Sequence, residues 1–137
     1  MAYAQWVYIL LKIQGSVGST PVTLWNVHLD TGKFYQYDNK DEEVSRDTVQ
    51  NISISSGNSV GIASCGRSDS PSGTEGSFEL WVGNTKICKI YWDCPWGSKR
   101  NTFTVSEVND EYLVEASGAN IDSGALGNVT VKIGKWD

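Results

Sequence analysis

Apolar residues recur at every second position through most of this chain, in short runs broken by turn residues. That period belongs to strands whose two faces meet different surroundings. Trp6 to Ile13 reads as a strand with both faces largely apolar. Val22 to Leu29 reads as a second, with Trp25, Val27 and Leu29 on one face, and Phe34 to Tyr37 as a short third. Ile52-Ile54 and Val60-Ile62 flank the turn Ser55-Ser56-Gly57-Asn58, while Phe78, Leu80 and Val82 share a face ahead of the turn Gly83-Asn84. Ile87 to Asp93, Phe103-Val105, Tyr112-Val114-Ala116 and Val129-Val131-Ile133 complete the set. The spacing predicts about nine or ten short strands, the pattern of an all-β sandwich or barrel. No segment sustains a 3.6-residue period; one short helix or turn is predicted near Ser45, where Ser45-Arg46-Asp47-Thr48 supplies cap-like residues.

With 137 residues and neither repeat nor linker, the chain reads as one domain over 1–137. A chain of this length buries about two-thirds of its unfolded surface and needs no staple. Its net charge of −5 excludes nucleic acid as a partner, because that affinity comes from Lys and Arg on phosphates. The same charge disfavours anionic lipid, so a membrane target would carry a neutral headgroup. The apolar run Val7 to Leu11 is far too short to span a bilayer. The first residues lack a basic region and a small-residue cleavage site, so the chain is expected to be made in the cytoplasm without a signal peptide. If it acts on other cells, it leaves by a non-classical route. Cys65, Cys88 and Cys94 include no CxxC pair and read as free core thiols rather than a disulfide framework or a metal site.

Nothing in the pattern calls for an enzyme, and no cofactor is expected. His28 is the only imidazole and reads as a strand histidine with a hydrogen-bond partner, continuing the face of Val22, Leu24 and Asn26. Asp38, Asp41, Glu42 and Glu43 form the densest acidic cluster. It lacks calcium-loop spacing and reads as a solvated loop, with acid–base hydrolysis by Asp38, Asp41 or Glu43 as the rival. Gly73-Thr74-Glu75-Gly76 has no Lys and opens no helix, so it is not a phosphate loop. Ser123 to Gly127 reads as a tight turn into the last strand.

Tyr91-Trp92-Asp93-Cys94-Pro95-Trp96-Gly97-Ser98-Lys99-Arg100 concentrates aromatics and two cations. Pro95 and Gly97 bracket Trp96 and predict a turn there. One reading puts Trp96 on an exposed turn, where an amphipathic ring beside Lys99 suits a membrane interface or a cationic headgroup. The other packs Trp92 inward and lays Trp96 over an edge of the core. Trp6, Tyr91, Trp96 and Lys99 are the candidates for one shared rim, a placement that only the fold decides.

Five blocks carry a family resemblance. They are Ala2 to Val7; Gly32-Lys33 with Asp38 to Ser45; Cys65-Gly66-Arg67-Ser68-Asp69; Tyr91 to Lys99; and Asp122 to Gly127. In this order, and over nearly the whole chain, they resemble the aegerolysin family. The resemblance implies a single antiparallel β-sandwich like that of the actinoporins and a non-enzymatic protein that binds membrane sphingolipids. Sphingomyelin with cholesterol and ceramide phosphoethanolamine are the targets it implies. It also implies a role as the membrane-docking half of a two-component pore former, whose partner carries a perforin-like, membrane-attack-complex domain. Trp6 and Trp96 match the family's lipid-facing aromatics, and Lys99 matches the cation placed near the lipid phosphate. Two positions depart from the pattern. Thr31 stands where the family often has Trp before Gly-Lys, with Phe34, Tyr35 and Tyr37 as the nearby aromatics. Ser72 stands where members sensitive to the sphingomyelin–cholesterol state have Glu, with Glu75 three residues on. The headgroup is therefore left open. A small lectin-like module, its aromatics stacked on sugar rings, is the alternative reading.

Overall fold

Eleven strands and one short helix make up the protein, in a computed structural model that describes residues 2–136. Met1 and Asp137, the ends of the expected 1–137 unit, lie outside the described residues. The strands are β1 (Trp6–Ile13), β2 (Val22–Thr31), β3 (Lys33–Gln36), β4 (Asn39–Val44), β5 (Ser53–Ile54) and β6 (Ser59–Cys65). They continue with β7 (Thr74–Val82), β8 (Thr85–Cys94), β9 (Thr102–Ser106), β10 (Tyr112–Ser117) and β11 (Gly127–Lys135). Helix α1 (Arg46–Gln50) starts where the capping residues predict it: Ser45 Oγ accepts from the Thr48 amide at 3.1 Å, and Val49 is buried.

Two sheets face each other. The first has the order β10-β11-β1-β6-β3-β4 and the second β5-β2-β7-β8-β9. The sandwich is antiparallel, as expected, with one parallel pair, β1 and β11. The two strands lie far apart in sequence, so no hairpin constrains their direction. Alternate residues of the facing strands fill the space between the sheets. Val7, Ile9 and Leu11 of β1 meet the inner residues of the second sheet, among them Phe78, Leu80 and Ile90, all fully buried.

Trp92 is the largest of these side chains and joins the two layers. Its ring lies 6.2 Å from Phe34 of the first sheet and 5.9 Å from Phe78 of its own. Its Nε1 donates to Thr74 Oγ1 at 3.1 Å, and Thr74 Oγ1 shares a 2.5 Å hydrogen bond with Ser64 Oγ of the first sheet. Gly76 makes room for the indole, since a Cβ there would lie 2.6 Å from Trp92 Cζ2. The inward reading of Trp92 holds, and the three cysteines are buried free thiols.

Two strand expectations need correction. Val22 to Leu29 does not keep Trp25 and Val27 on one face. A bulge between Trp25 and His28, with Asn26 at φ 52°, inserts a residue and reverses the alternation. Val22, Leu24 and Val27 are buried, while Trp25 and His28 face solvent. His28 therefore leaves the Leu24 face; its Nε2 meets Asp30 Oδ1 at 2.6 Å. The acidic segment read as a loop is largely strand β4. It is an edge strand paired only to β3, with both faces mostly exposed, so it lacks the alternation that marks a strand.

Candidate functional site

The ends of six strands gather at one end of the sandwich. In the first sheet Trp6, which opens β1, pairs with Cys65, which closes β6, and Cys65 also pairs with Lys33 at the start of β3. In the second sheet Thr31, closing β2, pairs with Glu75, and Thr74 pairs with Cys94 at the end of β8. Gly32 carries the chain from one sheet to the other at this end. Its φ is +90°, and a Cβ there would lie 2.5 Å from the Cys65 carbonyl oxygen. Register thus brings Trp6 and Thr31 to this end, and the loops that carry Ser72, Trp96 and Lys99 join β7 and β8 at the same end. Tyr91 stands three residues before the end of β8, on the outer face of the second sheet, and its hydroxyl reaches Glu75, the strand partner of Thr31.

Trp96 is on a turn, as the bracketing Pro95 and Gly97 predict. The indole is 38% exposed, so it does not seal the core, and Gly97 has φ +91°. The residues around this turn are held firmly. Buried Asn101 donates through Nδ2 to the Asn120 oxygen at 2.9 Å and the Gly124 oxygen at 3.0 Å. Cys94 Sγ donates to the Gly124 oxygen at 3.2 Å. Gly73 packs against the carbonyl of Cys94, where a Cβ would come within 1.8 Å of that oxygen. Gly73→Ala is therefore expected to push the Pro95–Trp96 backbone aside. The variant should melt lower, as thermal denaturation would show.

The electrostatics of the rim are mixed. Lys99 and Arg100 are exposed. Burial, and then the Glu75 carboxylate, raise the pKa of Asp93, while Lys99 pulls it down. The Tyr91 hydroxyl donates to Glu75 Oε2; burial and this hydrogen bond push the phenol well above its usual range. Ser72 Oγ lies 3.1 Å from Ser70 Oγ in the β6–β7 loop. At the start of that loop Arg67 grips Glu43 of β4 with two 3.0 Å hydrogen bonds, holding the Glu43 carboxyl below its usual pKa.

A groove opens next to the rim on the outer face of the first sheet. It has a volume of about 550 Å³ and is lined by Tyr3, Trp6, Tyr8, Tyr35, Tyr37 and Lys40, with polar residues of the β3–β4 turn and Asn128. Lys40 Nζ lies 5.3 Å from the centre of the Trp6 ring and donates to the Tyr3 oxygen at 2.8 Å. Trp6 is thus part rim, part groove wall. The sequence points to Tyr35 and Tyr37 only as aromatics near Thr31 and gives no sign of Tyr3 or Tyr8, although Tyr8 and Tyr35 sit at outward positions of their strands.

The aegerolysin family model matches residues 4–136. The chain is an aegerolysin. Aegerolysin Aa-Pri1 of Cyclocybe aegerita is 47% identical over 96% of this chain and 91% of its own length. Asp-hemolysin of Aspergillus fumigatus is 46% identical over 98% of this chain and 95% of its own. Among solved structures, the RahU protein in complex with a Tris molecule superposes with a TM-score of 0.93 at 37% identity, covering 99% of this chain and 98% of that one. This aegerolysin therefore shares that structure's architecture along its whole length.

Proposed function

We propose that this aegerolysin binds sphingolipid membranes through the rim that carries Trp6, Trp96 and Lys99. The observation that carries the reading is an exposed Trp96 on a braced turn, three residues before an exposed cation. An indole there enters the interfacial layer without a spanning segment, and Lys99 meets the lipid phosphate. No helix among the described residues is long and apolar enough to cross a membrane. The hemolysin name of the A. fumigatus relative supports a cytolytic setting. In that setting the protein supplies the docking half, and a perforin-like partner makes the pore.

Thr31 and Ser72 tune the headgroup. Thr31 puts a small side chain where an aromatic would cover the ammonium, and its strand neighbour is Glu75. A primary ammonium donates hydrogen bonds to such a carboxylate, whereas a quaternary one has no N–H to give. The reading therefore favours ceramide phosphoethanolamine over sphingomyelin. Co-sedimentation with vesicles of each lipid, with and without cholesterol, and with anionic vesicles tests it. Pelleting with the phosphoethanolamine sphingolipid is the expected result; binding to anionic vesicles alone would end the proposal.

A pH dependence follows from Asp93. The folded chain holds the Asp93 proton more tightly than the unfolded chain does, because the pKa is raised. The carboxylate thus opposes folding above that pKa, and the penalty lifts as pH falls through it. Protonation also removes the negative charge that competes with phosphate for Lys99. Vesicle binding is expected to strengthen as pH falls through the raised Asp93 pKa. Asp93→Asn should bind at neutral pH as the wild type does in acid, with a flatter pH profile in the same sedimentation assay.

A further inference from the structure

We propose that the groove on the outer face of the first sheet is a binding site for a neutral hexopyranose ring, distinct from the docking rim and sharing only Trp6 with it. The inference does not depend on the rim's function.

The floor comes from strand register. Tyr8 of β1, Ala63 of β6 and Tyr35 of β3 stand in one row across three neighbouring strands, and Trp6, Cys65 and Lys33 stand in the next. The central strand supplies a small side chain in each row, so the flanking rings rise on either side of a trough. Gly61 continues it: the Tyr8 ring lies over this glycine, and a Cβ there would come within 2.0 Å of the phenol oxygen. Tyr37 closes the far side, its ring centre 4.5 Å from that of Tyr8 and tilted by 46°. The trough therefore offers two aromatic surfaces set at an angle, as a pyranose ring with its carbon–hydrogen face needs. Its volume, about 550 Å³, falls in the range of small-molecule sites.

The charges choose among ligands. Lys33 Nζ sits 4.6 Å from the Tyr3 ring centre and donates to the Tyr3 hydroxyl at 2.7 Å, and that hydroxyl donates to Asp41 Oδ1 at 2.9 Å. Lys40 takes the face of Trp6. Two ring faces already hold the protein's own cations, and these repel a quaternary ammonium ligand. Asp38, Asp41 and Lys40 line the groove together, so it offers no field of a single sign to hold a phosphate. A neutral ring with many hydroxyls meets neither objection. Its hydroxyls find acceptors and donors in Asp38 and Asn128, whose side chains make no hydrogen bond to another described residue. The Tyr8 and Tyr35 phenols stay protonated as donors, because burial raises both, Tyr35 to about 12.

A pyranose reaches the groove either as a free glycan or as the headgroup of a glycosphingolipid, and the test separates the two. Saturation-transfer NMR with methyl β-glucopyranoside and methyl β-galactopyranoside probes the free sugar. Sedimentation with phosphatidylcholine vesicles containing glucosylceramide or galactosylceramide probes the lipid-borne one. Binding to at least one source is expected, weakened roughly tenfold in Tyr37→Ala, as loss of a stacking ring requires, and retained in Tyr37→Phe. Tyr37 is 58% exposed, so its removal should leave the melting temperature in place. Asp38→Asn gives a second, independent loss. Binding to the vesicles alone identifies the headgroup as the source, and binding to the free glycosides identifies a glycan. Contacts from choline with none from any glycoside, or sugar binding that survives Tyr37→Ala, would overturn the assignment.

Discussion

Trp96→Ala is expected to reduce vesicle binding on the order of thirtyfold or more while leaving the fold in place. The indole is a rigid, amphipathic anchor, and removing such an anchor from the centre of a binding surface costs about 2 kcal/mol or more. The fold should not notice, because Trp96 is substantially exposed and neither Asn101 nor Cys94 depends on it for its hydrogen bonds. A substitution outside the core changes stability by only a few tenths of a kcal/mol, and the melting temperature should move by less than about 3 °C. Vesicle sedimentation paired with thermal denaturation separates the two effects. A large fall in melting temperature would put Trp96 in the core and remove the basis of the rim.

Trp92→Ala should give the opposite pattern. Trp92 is fully buried, touches Phe34 and Phe78, and gives its N–H to Thr74. Truncation leaves a cavity between the sheets and takes away one partner of the buried Thr74 hydroxyl. Losses of about 3–5 kcal/mol are usual for such a change. The melting temperature is expected to fall on the order of 10 °C or more. Whatever fraction stays folded should still bind vesicles, because Trp96 and Lys99 lie outside the cavity. Trp92→Phe keeps much of the volume and should recover a large part of the loss.

Strands such as β7 and β11 are legible in the chain because each buries one face, which stamps a period of two on the residues. Helix α1 is legible through Ser45 and Thr48, whose contact is local. Strand β4 is not, since solvent on both sides of an edge strand leaves no alternation to read. The bulge at Asn26 is hidden for another reason: a non-glycine residue takes the left-handed conformation there, without a glycine to flag it. The same limits apply at the site. Pro95 and Gly97 announce the Trp96 turn, but the shared rim of Trp6 and Trp96 depends on pairings between strands distant in sequence. The tyrosine groove is further from view. Tyr8, Ala63 and Tyr35 become neighbours only once β6 is placed between β1 and β3.

The most direct measurement is where the protein touches the bilayer. An environment-sensitive fluorophore on Ser98→Cys would report from the Trp96 turn, and the same dye on Asn84→Cys from the β7–β8 turn at the opposite end; the native thiols are buried and out of reach. On vesicles containing ceramide phosphoethanolamine, the account predicts a blue-shifted, brighter signal from position 98 and an unchanged one from position 84. A shift at position 84, or none at position 98 while the protein pellets with the vesicles, would contradict docking through this rim.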